Sequence, residues 1–125
     1  MSSTLQITKE TPEGSVAVIK ANGRLDANTV NVMEKALTDS IAAGAKALVL
    51  DLAELTYISS SGLRALLTAK RSAGQKKGDL FISALKRNVR DVFDMVGFSA
   101  VFHIHETTEQ AVLAAQKLVG PAKES

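Results

Sequence analysis

The sequence predicts a single α/β domain on a mixed β-sheet, its elements in the order β-β-α-β-α-β-α-β-α, with an antiparallel N-terminal hairpin and helices packed on the sheet. Three observations lead there. The spacing of apolar residues switches repeatedly between the two-residue period of a strand and the three-to-four-residue period of a helix. The run Ala47-Leu48-Val49-Leu50 is unbroken by any polar residue, as in a strand covered on both faces. The length of 125 residues, 46% of them hydrophobic, suits one domain rather than two.

Taken in order, Leu5 and Ile7 alternate with polar neighbours and mark a first strand. Thr11-Pro12-Glu13-Gly14 supplies turn chemistry, and Val16, Val18 and Ile19 form a second, β-branched run ending at Asn22-Gly23. The pair reads as a hairpin. From Asp26 the period changes, and Val30, Met33, Leu37 and Ile41 line one face of a helix, with Asp26 placed to cap its start and Gly44 to end it. The buried strand Ala47–Leu50 comes next, then Asp51 and a short connection from Leu52 to Ile58. Leu63, Leu66 and Leu67 restore the helical period in a helix begun by Ser61 and closed by Gly74 and the polar residues after it. Leu80, Phe81 and Ile82 form a strand, and Val89, Val92, Phe93 and Val96 the core stripe of a helix stopped by Gly97. Val101, Phe102 and Ile104 make the last strand. Thr107 or Thr108 caps a final helix carrying Val112, Ala115, Leu118 and Val119. The domain is expected over residues 4–120, with 1–3 and 121–125 as flexible termini.

Composition narrows the function classes. There is no cysteine, which excludes disulfides, thiolate metal sites and cysteine nucleophiles and fits a reducing compartment. Met1-Ser2-Ser3-Thr4 lacks the pattern of a signal peptide, and no stretch reaches the roughly 18 apolar residues of a membrane span. A cytoplasmic location without membrane insertion is expected. Fifteen basic and thirteen acidic residues give a net charge of +2, spread along the chain. Nucleic-acid binding calls for a basic stripe or stacking aromatics, and neither is present.

The most informative stretch is Thr56-Tyr57-Ile58-Ser59-Ser60-Ser61-Gly62-Leu63, which delivers three hydroxyls to the start of a helix. The first amides there have no partners inside the helix, and the dipole places partial positive charge on them. A dianion attached at this point meets free N–H groups, and Gly62 lets neighbouring backbone approach closely. Serine is also a favoured helix cap, worth roughly 0.5–2 kcal/mol over alanine. That role accounts for one of the three hydroxyls.

The run from Tyr57 to Leu67, Y-I-S-S-S-G-L-R-A-L-L, resembles the signature of the STAS domain family, D-S-[ST]-G-L followed by an apolar helix. Upstream, Gly23-Arg24-Leu25-Asp26-Ala27-Asn28-Thr29 is similar to the family's G-x-L-D-x-x-T, and downstream the stretch from Val89 to Phe98 looks like the family's V-x-x-[VL]-[FL]-x-x-[ST]-G-[LF] helix ending. The three motifs fall in the family's order and cover nearly the whole chain. The resemblance implies an anti-sigma factor antagonist, a binding protein and not an enzyme, needing no cofactor. It implies as partners an anti-sigma factor that is also a serine kinase of the histidine-kinase-like ATPase type, and a PP2C-like phosphatase. Carried over by position, the phosphate acceptor is Ser60. Ser59 stands where the family has Asp, which leaves Ser59 and Ser61 as alternative acceptors. The implied partner surface comprises Arg24, Asp26, Thr29, Ser59, Ser61, Gly62 and Arg64, and the chain is expected to be a monomer or weak dimer. A second reading in the same fold is a STAS adaptor in a secretion, stressosome-like or lipid-transport complex.

Other constellations fall short. His103 and His105 alternate along a strand and share a face, but a metal site needs further ligands. Only Glu106 and Asp94 are at hand, so no metal is expected. No G-x-S-x-G elbow surrounds the serines, and the chain has no G-x-x-x-x-G-K-[ST] loop. A nucleotide-binding or hydrolytic α/β protein, the third reading, therefore lacks its phosphate loop.

Overall fold

A computed structural model describes residues 4–11 and 15–120. The turn expected at Pro12-Glu13-Gly14 and the termini 1–3 and 121–125 lie outside the described residues. The elements are β1 (Leu5–Glu10), β2 (Val16–Leu25), α1 (Val30–Ala42), β3 (Ala47–Ile58), α2 (Ser60–Gln75), β4 (Asp79–Ser83), α3 (Arg87–Met95), β5 (His103–His105) and α4 (Thr108–Val119), with a 3-10 turn at Phe98–Ala100. The order is the one expected from the sequence. The strands lie in the order β1-β2-β3-β4-β5, β1 antiparallel to β2 and every other pair parallel.

Alternate residues of the central strands feed two cores. Ala17, Ile19, Leu48, Leu50, Leu80 and Ile82 face α1, α2 and α3, where Met33, Leu37, Leu66, Val89 and Phe93 meet them. Val16, Val18, Ala47, Val49 and Phe81 point the other way, onto Ala111 and Ala115 of α4. A strand covered on both faces has no reason to alternate in polarity, which explains the unbroken run at Ala47–Leu50.

Several expectations about the strands and the helix stripes need correction. The connection Leu52 to Ile58 is strand, and β2 continues past Asn22-Gly23 to Leu25. The pairing register of β2 and β3 shifts between Lys20 and Asn22 and again between Gly23 and Arg24. Such bulges put the buried Leu52, Leu55 and Ile58 three residues apart, a spacing that does not read as strand. Gly23 adopts φ +125° there, and the Thr56 hydroxyl donates to its carbonyl at 3.0 Å.

The helix stripes are also narrower than expected. Val96 and Leu118 are 48% exposed; Val96 lies one residue past the end of α3, and α4 packs through Ala111 and Ala115, its small residues. Val101 is 42% exposed in the exit from the 3-10 turn, so β5 holds only His103–His105. Phe102 does enter the core, with ring centroids 5.9 Å from Phe93 and 5.4 Å from Phe98. Thr107 caps α4 through a reciprocal bond pair with Gln110, the capping-box arrangement.

Candidate functional site

The carboxyl ends of β2 and β3 lie side by side, and there the Ser59 amide donates to the Leu25 carbonyl at 2.9 Å. That bond brings the 23–29 segment against the serine cluster. Ser59, in extended conformation, is the N-cap of α2; its Oγ accepts from the Gly62 amide at 3.2 Å and its carbonyl from Leu63 at 2.9 Å. The helix thus begins at Ser60, one residue before the expected Ser61. Gly62 is buried, and a Cβ on it would stand 2.7 Å from Leu25 Cγ and 3.0 Å from Ile58 Cγ1. Only glycine lets the first turn of α2 sit this close to the strand ends.

The three hydroxyls now differ. Ser59 Oγ is committed to the cap, Ser61 is half-buried, and Ser60 is exposed. The first turn of α2 carries no acidic residue. The amides of Ser60 and Ser61 fall within the first turn, where a helix offers them no internal partner.

Asp26 does not cap α1, contrary to expectation. Thr29 occupies the N-cap position, and the Asp26 carboxylate closes its own turn by accepting from the amides of Asn28 at 2.9 Å and Thr29 at 3.2 Å. Short polar side chains prefer such local bonds where the chain bends. The buried Thr29 hydroxyl donates to the Arg24 carbonyl at 2.7 Å and accepts from the Asp26 amide at 2.9 Å. Arg24 reaches Asp26 Oδ2 at 3.6 Å and lies 4.2 Å from the centre of the Tyr57 ring. Arg64 is exposed on α2, and among the described residues no carboxylate is paired with it.

The structure therefore brings Arg24, Asp26, Thr29 and the three serines to one end of the sheet, with Arg64 one turn along α2. Two neighbours were missed from the sequence. Tyr57, the chain's one tyrosine, is 40% exposed under Arg24; an aromatic two residues before the serines was the available signal. Asn88 donates to the Thr56 carbonyl at 2.9 Å and ties α3 to this end of β3. Nothing in the sequence pairs residues so far apart.

At the opposite end of the sheet Asp79 binds Lys70 Nζ at 2.6 Å and His103 Nε2 at 2.8 Å, while His103 stacks on Phe81 at 5.0 Å. Among the described residues no three His, Asp or Glu side chains are grouped to hold a metal ion, and no helix is long and apolar enough to cross a membrane.

A sequence profile of the STAS domain matches residues 6–111. BtrV of Bordetella bronchiseptica, which carries the name of an anti-sigma factor antagonist, is 35% identical over 92 residues, 74% of this chain and 79% of its own. The crystal structure of an anti-sigma factor antagonist from Mycobacterium paratuberculosis, 25% identical, superposes with a TM-score of 0.83 over 90% of this chain and 95% of that one. The anti-sigma factor antagonist SpoIIAA in its unphosphorylated form shares the fold, with a TM-score of 0.78 at 22% identity over 92% of this chain and 100% of its own. The profile spans most of the sequence, and the serine-led helix falls inside it: the chain belongs to the STAS domain family.

Proposed function

We propose that this protein is an anti-sigma factor antagonist that works as a phosphorylation-gated binding module. Unphosphorylated, it sequesters an anti-sigma factor that is also a serine kinase of the histidine-kinase-like ATPase type. Phosphate on Ser60 breaks the complex, and a PP2C-like phosphatase restores it. The observation that carries the reading is the inequality among the serines. Ser60 alone of the three is exposed, at the first position of α2, while Ser59 is spent on the cap.

The physics is a charge gate. Phosphate adds about −1.5 to −2 charges, which the amino end of a helix tolerates in the free protein. Docking a partner over the same spot strips water from the dianion, at a cost of several kcal/mol for an uncompensated charge. Moving a complex from 99% to 1% bound takes only about 5.5 kcal/mol. Incubation with the cognate kinase and ATP, read by mass spectrometry, is expected to place one phosphate on Ser60, and Ser60→Ala is expected to bind constitutively. A phosphate confined to Ser59 or Ser61, or none, would overturn the assignment.

Ser59 in place of an acidic residue favours a second reading, a STAS adaptor in a secretion, stressosome-like or lipid-transport complex. Capture of partners from native extract separates the two: a histidine-kinase-like ATPase belongs to the first alone.

A further inference from the structure

Ser60 and Arg64 are four residues apart on α2, both exposed, and one turn of helix places such residues on the same face with Cβ atoms about 5–6 Å apart. Helical side chains lean toward the amino end, so a long side chain at the fifth position covers the turn before it. That spacing puts a group on the Ser60 hydroxyl within reach of the Arg64 side chain. Arg24, a second cation at this end, is already engaged by Asp26 at 3.6 Å and by the Tyr57 ring at 4.2 Å. No acidic residue in the first turn competes for Arg64.

We propose that Arg64 is a positioning residue for the phosphate: it pairs with a phosphoryl group on Ser60 and is withdrawn from the docking face by doing so. The inference rests on the phospho-switch reading above. Modification then changes the face twice. A dianion appears, and the cation that the unmodified protein offers to a partner carboxylate turns inward along its own helix. Guanidinium suits this task because its planar fork matches phosphate oxygens two at a time.

The test uses the full chain carrying phosphoserine at position 60, installed during synthesis so that no kinase is needed. The second ionisation of the phosphate, near pH 6 for a free phosphoserine, is followed by phosphorus NMR. Removing a paired cation by Arg64→Gln is expected to raise that midpoint by about 0.3–0.6 pH units, whereas Arg71→Gln, an equal loss of charge further down α2, is expected to leave it in place. Arg64→Lys is expected to recover most of the difference. Equal midpoints in the wild type, Arg64→Gln and Arg71→Gln proteins would overturn the pairing. A kinase that ignores Ser60 would strike the phospho-switch reading and leave this measurement untouched.

Discussion

Helix α2 ends in two different polar sites, and they are built on opposite terms. At its first turn Ser59 takes the cap, the Asp26 carboxylate is absorbed in its own turn, and Ser60 is left exposed. Ten residues on, Lys70 is bound to Asp79 at 2.6 Å, and the other Asp79 oxygen to His103 at 2.8 Å, so that α2, β4 and β5 are tied together through one carboxylate. The second cluster joins three side chains to one another. The first keeps a hydroxyl in reserve. Under the switch proposed above, the hydroxyl that takes the charge is the one the fold does not use.

The sharpest way to break this contrast is at the glycine that seats the first turn. Gly62→Val places a branched side chain against Leu25 and Ile58, which already stand 2.7 and 3.0 Å from a Cβ built there. Overpacking of this kind costs about 2–3 kcal/mol, to be read as a lower urea midpoint. Gly74, near the other end of the same helix, has nothing within 4 Å of a built Cβ, so Gly74→Ala is expected to stabilise by about 0.5–1 kcal/mol. Equal effects at the two glycines would show that helix propensity, not the fit to the strand ends, governs the position of the site.

The paired end should answer to acid. Burial works to raise the Asp79 pKa, but the bonds from Lys70, the Leu80 amide and His103 outweigh it and hold the carboxyl below its usual range. The unfolded chain therefore binds this proton more tightly than the folded one. The stability contributed is present above the ordinary carboxylate pKa of about 4 and is lost as pH falls through the lower folded value. Asp79→Asn is expected to cost about 1–2 kcal/mol at neutral pH and to flatten the acid limb of a plot of unfolding free energy against pH. An unchanged acid limb in the variant would remove Asp79 from the account.

How much of this was legible in the sequence also divides along α2. The element order followed from hydrophobic period, and the serine end could be read because cap, hydroxyls and glycine are adjacent in the chain. The extension of β3 was hidden by bulges that space Leu52, Leu55 and Ile58 by threes. The role of Asp26 was misread because a carboxylate three residues before Thr29 serves equally well, on paper, as a helix cap or as the closure of its own turn; only the backbone path from Leu25 to Val30 decides. The Asp79 cluster had no local signal at all, since its members come from α2, β4 and the edge strand β5. Polar groups that meet through tertiary packing leave no spacing to find.

The smallest expected effects test the serines one by one. Ser59→Ala removes the cap and is expected to cost about 1 kcal/mol, whereas Ser59→Asp keeps an acceptor for the Gly62 amide and adds a favourable charge at the helix start, leaving stability within about 0.5 kcal/mol of the wild type. Ser60→Ala should change stability hardly at all, within the roughly 0.5 kcal/mol typical of surface positions, because Ser60 is exposed and the cap belongs to its neighbour. Thermal unfolding of the three variants side by side checks the ranking. If Ser60→Ala proved as costly as Ser59→Ala, the hydroxyl assigned to the switch would already be holding the helix, and the division of labour along α2 would have to be redrawn.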